Sequence, residues 1–363
     1  MVFRQCSLEN LVMNAQFWSG RRVLVTGHTG FKGSWLVLWL NALGARVCGY
    51  ALPPATQPSL FEAIDGDGLC TSRLGDIRDA ELFNRVVQDF QPEIILHLAA
   101  QAVVRVSYLD PVETYSTNLM GLVNVFEALR RCPSVRAIVN VTSDKCYENN
   151  EWVWAYRESD PMGGYDPYSS SKGCAELITS AYRRSFFAGN GVNLASARAG
   201  NVIGGGDWTS DRLIPDFIRS IAASEELVLR MPRATRPWQH VLEPLSGYLA
   251  LAEALCETGE SAASSYNFGP SDDSIKSVEW IARRICEIWG DSASWRVVEN
   301  ADLHEAQNLR LESAKARHQL RWSPRWPLEE ALVRVVEWHR AFNEGQSMRE
   351  FTLQQIEAYQ QAR

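Results

Sequence analysis

The chain has 363 residues, 46% hydrophobic and 22% charged, enough apolar material for one large core or two smaller ones. Its net charge of −7 and pI near 5.5 give it no basic field for nucleic acid. "MVFRQCSLENLVMNAQFW" lacks the apolar run of a signal peptide, and "WLVLWLNAL" is too short to span a bilayer, so a cytoplasmic protein without a membrane partner is expected.

From Arg21 onward, short β-branched runs alternate with longer helical periodicity. "RRVLVTG" reads as a buried strand, "FKGSWLVLWLNALG" as a helix closed by Gly44, and "ARVCGYAL" as a second strand. After a loop with three prolines, "DAELFNRVVQDF" predicts a helix with Leu82, Val86 and Phe90 on one face. "EIILHLAA" is a strand, "VETYSTNLMGLVNVFEALRR" one long helix, and "VRAIVNVTS" another strand. "YSSSKGCAELITSAYRRSFF" is helical and "VNLASARAG" a strand. Strict βα alternation predicts an α/β fold with a Rossmann-type doubly wound parallel sheet. The tryptophan-rich remainder reads as a smaller, mainly helical C-terminal lobe. Eight cysteines stand scattered with no CxxC pair, which predicts reduced, buried thiols and no metal site.

The first strand runs into "TGHTGFKG", placing Gly27, Gly30 and Gly33 where a dinucleotide fingerprint requires them. The first glycine permits the turn, the second lets backbone N–H groups approach a pyrophosphate, and the third lets the helix pack closely. The second strand ends "VCGYAL", without an acid for a ribose 2′-hydroxyl or an arginine for a 2′-phosphate, so NAD rather than NADP is a judgement. "GDIRD" offers Asp76 and Ile77 to an adenine, or is simply a surface turn.

Tyr168 and Lys172 form Y-x-x-x-K, one helical turn apart on one face. Ser143, in "VTSDKCY", lies at the carboxyl end of a strand, the edge where open α/β sheets bind ligands. A lysine beside a tyrosine favours the phenolate, which predicts a lowered Tyr168 pKa and a general base. Ser143, Tyr168 and Lys172 together suit hydride removal from a secondary alcohol.

With "HLAAQ", "YSTN", "RAGNVIGGGD" and "RLIPDFI", these motifs resemble the extended short-chain dehydrogenase/reductase family of nucleotide-sugar enzymes over nearly the whole chain after residue 20. The resemblance implies NAD as cofactor, held by Gly27, Thr29, Gly30, Phe31, Gly33, Asp76, Ile77, Ala99, Ala100, Gln101, Asn118, Tyr168 and Lys172. Asn118 alternatively bonds a helix kink. In that family an acidic pair after the active-site hydroxyl marks 4,6-dehydratases, and 4-epimerases lack it. Here the pair is Asp144-Lys145, and "TSDKCY", "EWVWAYRE", "PMGGYDPYS" and "RPWQHVLEPLSGY" resemble the branch acting on CDP-glucose. Ser143, Asp144, Lys145, Tyr168 and Lys172 are then catalytic, with Lys145 as base at C5′ and Asp144 as acid at C6′. A 4-epimerase or reductase, and a catalytically silent NAD-binding scaffold, are the alternatives.

By the same resemblance Asn201 and Arg236 contact the substrate diphosphate, and Leu213 and Ile214 line the nucleotide pocket. Arg236 could instead pair with Glu243, and the two apolar residues could be core. Trp152 and Trp154 have the spacing of packing residues, and His304 and Glu305 that of a solvated loop. The implied division is a cofactor domain of 18–200 plus about 240–270 and a sugar-nucleotide lobe of about 201–239 plus 271–345. Residues 1–17 and 346–363 are terminal extensions, and a homodimer or homotetramer is expected.

Overall fold

Seven strands form one parallel sheet in the computed structural model, which describes residues 14–290, 293–298 and 308–362. They are β1 (Arg22–Thr26), β2 (Arg46–Ala51), β3 (Thr71–Leu74), β4 (Ile94–His97), β5 (Ala137–Val141), β6 (Asn193–Ala199) and β7 (Ser265–Phe268). Their order is β7-β6-β5-β4-β1-β2-β3, so the winding reverses between β1 and β4, where Thr26 pairs with His97. The expected Rossmann-type sheet is borne out. β1, β4 and β5 are buried almost throughout because helices cover both faces of the sheet, which is why their sequences read as apolar runs rather than alternations.

On one face lies α1 (Phe31–Ala42), whose Trp35, Leu36, Val37, Leu38, Trp39 and Leu40 are all buried. Gly44, at φ +80°, closes this helix as expected. The other face carries α2 (Ala80–Phe90) and α3 (Leu122–Leu129). The buried stripe of α2 centres on Phe83, Val86 and Val87, leaving Leu82 and Phe90 at its rim.

The helix expected as one piece over 112–131 is interrupted. Pro111–Tyr115 is α-helical, Ser116–Gly121 forms a π turn, and α3 follows. Asn118 explains the widening, because its buried side chain turns inward to bond the loop after β4.

Beyond β5 come α4 (Pro167–Tyr182), α5 (Leu213–Ala223) and α6 (Leu242–Glu257). After β7 follow α7 (Val278–Trp289), α8 (Leu328–Asn343) and α9 (Met348–Gln361). α5, α7 and α8 enclose a separate apolar cluster that includes Phe217, Ile281, Ile285, Leu332 and Val335. The last helix does not project from the molecule: Tyr359 of α9 packs edge-on to Trp39 of α1, 5.8 Å between ring centres, and both rings are buried. Among the described residues no helix is long and apolar enough to cross a membrane.

Candidate active site

The carboxyl ends of β1, β4, β5 and β6 open into a cleft of about 730 Å³ between the sheet and the helical lobe. Its floor starts at Gly27, where φ is +75° and an added Cβ would stand 2.9 Å from the Ala99 backbone nitrogen. Only glycine allows that approach of β1 to the loop after β4. At Gly33 a Cβ would meet the Gly27 carbonyl at 2.1 Å, so the start of α1 lies directly on the turn. Gly30 differs: its Cβ would find only the Gly27 carbonyl, at 3.4 Å, and the space beyond belongs to the cleft. Thr29 fixes the loop by donating to the Leu52 carbonyl at 2.8 Å. A bare turn at a helix N-terminus, open at its second glycine, suits a pyrophosphate, so these residues fit a dinucleotide. Leu52 and Pro53 follow β2 along the cleft, with no acid at that point.

The opposite wall is set by capping. Asp166 accepts from the Ser169 N–H at 2.8 Å and its hydroxyl at 2.6 Å, and Pro167 occupies the first helical turn of α4. Tyr168 and Lys172 thereby project from the start of α4 toward the end of β5, with the Lys172 Nζ 5.9 Å from the Tyr168 ring centre. Ser143 lies two residues past the end of that strand and caps the short 3₁₀ turn Asp144–Cys146, its hydroxyl accepting from the Lys145 N–H at 3.2 Å. The same hydroxyl lies 2.9 Å from Asp144 Oδ1 and bonds the Tyr168 phenol.

Burial governs the charges. Asp144 is 3% exposed, and burial raises its carboxyl above the usual range against the opposing influence of Lys145, Ser143, Arg236 and Lys32. Its Oδ2 is buried and makes no hydrogen bond within the protein. Burial pushes Lys172 down to about 8. Tyr168 departs from expectation: burial pushes its phenol up to about 12, outweighing the Ser143 hydrogen bond that lowers it. The protein alone therefore does not prepare the phenolate.

Gly27, Thr29, Gly30, Phe31, Gly33, Asp76, Ile77, Ala99, Ala100 and Gln101 line the cleft, as do Ser143, Asp144, Lys145, Tyr168 and Lys172. Asn201, Leu213, Ile214 and Arg236 line it as well. Asn118 does not. Its amide exchanges hydrogen bonds with the Gln101 backbone, at 2.8 and 3.0 Å, and donates to Ser171 at 2.9 Å, so it braces the wall from behind. Glu243, the alternative partner for Arg236, accepts from the Arg325 and Trp326 N–H groups and the Tyr359 hydroxyl. Trp152 lies on Tyr156, 5.3 Å between ring centres, and Trp154 is exposed. His304 and Glu305 lie outside the described residues.

Sequence reasoning passed over Lys32 and Arg212. Lys32 lines the cleft from α1, and burial with the nearby Arg212 holds its ammonium down to about 8. Arg212 pairs with Asp207 at 2.9 Å on the lobe side. The signal was present in the lysine of "TGHTGFKG" and in the charges of "GGGDWTSDRL", which periodicity cannot aim at a cleft.

Residues 24–335 match the family model described as GDP-mannose 4,6 dehydratase. The chain belongs to this family. Its relatives include the CDP-glucose 4,6-dehydratase of Salmonella typhimurium, 52% identical over 97% of this chain and 99% of that protein. Among solved structures of like fold are a dTDP-glucose 4,6-dehydratase from Streptomyces venezuelae with NAD bound (TM-score 0.77, 24% identity, 90% and 98% of the two chains) and a UDP-glucose 4-epimerase from Thermotoga maritima (TM-score 0.78, 23% identity, 89% and 99%). The dehydratase resemblance drawn from the motifs is borne out by the family and by the Salmonella relative.

Proposed function

We propose that the chain converts CDP-D-glucose to CDP-4-keto-6-deoxy-D-glucose and water, with NAD as a cofactor regenerated in each turnover. The observation that carries the reaction class is Asp144: a buried carboxyl whose pKa burial raises, next to Lys145 and beside the Ser143–Tyr168–Lys172 set. An epimerase has no use for an acid and a base aimed at C6′ and C5′. The cytidine nucleotide rests on the Salmonella relative.

Ser143 and Tyr168 hold the C4′ hydroxyl, and Tyr168 accepts its proton as phenolate. Lys172 sustains that phenolate from one turn along α4. Gly27, Gly30, Ala99 and Gln101 would hold NAD, which would supply the hydride acceptor for C4′ and donor for C6′, together with a positive charge favouring the Tyr168 phenolate that burial disfavours. The C4′ ketone acidifies C5′, and Lys145 removes the C5′ proton. Asp144 protonates the departing C6′ oxygen, which leaves as water, and a proton returns to C5′ as C6′ is reduced. Arg236, with Asn201, holds the diphosphate, while Leu213 and Ile214 cover the nucleoside.

We assign the cofactor domain to 18–200 plus about 240–270 and the sugar-nucleotide lobe to about 201–239 plus 271–345. A second copy is proposed to pack on the exposed Leu109, Val112, Met120, Leu177 and Phe186. The protein is assigned to the cytoplasm, where its free thiols stay reduced. Incubating the protein and NAD with CDP-, dTDP-, UDP- and GDP-hexoses tests the function. CDP-glucose is expected to be consumed without net accumulation of NADH, and stoichiometric NADH release would indicate a dehydrogenase.

A further inference from the structure

Behind Tyr168 and Lys172 lies a buried polar cluster that the steps above leave unused. Glu176 follows Lys172 by one turn and Tyr168 by two, so the three share one face of α4. Its Oε1 accepts the Thr142 hydroxyl at 2.5 Å. Its Oε2 accepts the Ser196 hydroxyl at 2.7 Å and the Arg198 guanidinium at 2.7 Å. Arg198 in turn donates to the Tyr147 hydroxyl at 2.7 Å. Glu176 and Arg198 are 5% and 3% exposed.

The reach of these bonds separates the cluster from an ordinary buried ion pair. Thr142 immediately precedes Ser143, Tyr147 follows the turn that carries Asp144 and Lys145, and Ser196 and Arg198 belong to β6. One carboxylate thus ties the helix bearing Tyr168 and Lys172 to the strand end bearing Ser143. The charge matters too. Lys172 faces Glu176 on its own helix, Cys146 on the 3₁₀ turn, His97 on β4 and Lys32 on α1. Burial keeps His97 neutral, with its pKa at about 3, and pushes the Cys146 thiol well up. Burial alone would raise the Glu176 carboxyl, but Arg198, Ser196 and Thr142 outweigh it and hold it ionised.

We propose that Glu176, anchored by Arg198, is a positioning residue for C4′ oxidation. It holds the end of β5 against α4, setting Ser143 at its working distance from Tyr168, and places a fixed negative charge one turn behind Lys172. The inference rests on the hydride-transfer reading of Ser143, Tyr168 and Lys172.

Glu176→Gln strands the buried Arg198 charge and is expected to destabilise the protein. The pair Glu176→Gln/Arg198→Met removes both charges while filling similar space, and is expected to recover the parental Tm. Positioning and charge are not recovered with it. In the double variant, single-turnover oxidation of CDP-glucose is expected to fall roughly 10- to 100-fold with KM nearly unchanged. The alkaline limb of its pH profile should move to lower pH, because Lys172 loses its proton sooner. Thr142→Val, which keeps the ion pair, should slow oxidation without moving that limb, and Thr142→Ser should retain the rate. A double variant with parental rate and pH profile, or a Thr142→Val variant with parental rate, overturns the inference. Should the double variant fail to fold, the two Thr142 variants decide. A parent protein inert toward CDP-glucose overturns the functional reading, and the inference falls with it.

Discussion

Lys145→Met separates the two halves of the reaction. The Lys145 side chain extends into the cleft, but the turn beneath it is held by its backbone, whose N–H donates to Ser143 Oγ at 3.2 Å. Replacing the side chain therefore leaves the Ser143 hydroxyl where it is. Asp144 loses the foremost group opposing its protonation, so its carboxyl moves further in the direction burial already sets. Tyr168 and Lys172 lie on α4 and keep their contacts. The loss thus falls on removal of the C5′ proton. A general base typically contributes about 10²–10⁴-fold, which is about 3–5 kcal/mol on that barrier. In a single turnover with CDP-glucose, the absorbance of reduced cofactor should rise at nearly the parental rate and then persist. Exchange of the C5′ hydrogen with deuterated water should fall by the factor given, and keto-sugar formation should fall with it. Undiminished C5′ exchange in a folded variant would show that another group is the base. Oxidation and elimination weakening together would mean that Lys145 only steadies the strand end.

Tyr168→Phe removes one hydroxyl from a ring that is 8% exposed, so CDP binding measured by calorimetry should hold while C4′ oxidation falls about 10²–10⁴-fold; parental turnover would strip Tyr168 of its role. Gly30→Val meets only the Gly27 carbonyl, at 3.4 Å, so the variant should fold, yet its methyl groups stand in the phosphate cradle. NAD affinity by fluorescence titration should weaken at least about 10-fold, and unchanged affinity would relocate the cofactor. At Glu243, burial raises the carboxyl to about 7 despite its hydrogen bonds from Trp326, Tyr359 and Arg325. A folded value above the unfolded one means stability that is highest in acid, declines as pH rises from about 4.5 to about 7, and is level above. The decline is on the order of 3 kcal/mol. Glu243→Gln removes it, so the Tm difference between variant and parent should grow in the variant's favour across that range, and parallel Tm curves would refute the assignment.

Much of this arrangement is legible in the linear chain because local rules and the global fold agree. The apolar runs of β1, β4 and β5 reflect helices on both faces, and "DPYSSSK" carries its own helix cap, so Tyr168 and Lys172 could be placed one turn apart without coordinates. What escaped was decided by depth and distance. Whether Tyr168 rises or falls depends on how far the cleft wall excludes water, which no spacing encodes. For Asn118 the resemblance and the helix-kink reading stood side by side, and only its contacts decide: the amide is spent on the Gln101 backbone and Ser171 behind the wall. Lys32 escaped because a glycine-rich turn draws attention to its backbone rather than to the one long side chain within it. The sequence of α9 is largely polar, so its buried place against Trp39 depended on a partner near the other end of the chain.

The seating of α9 on α1 bears on the order in which the protein is made. Trp39 and its neighbours leave the ribosome in the first βα unit, and the ring that covers Trp39 follows only after β7 and the helices of the lobe. A nascent chain can assemble β1 to β6 and still hold an uncovered indole on the helix that receives the cofactor. The dinucleotide half, first in the sequence, is thus among the last parts of the molecule to be finished. A chain ended before α9 would keep every catalytic residue and leave the cofactor helix open along its back.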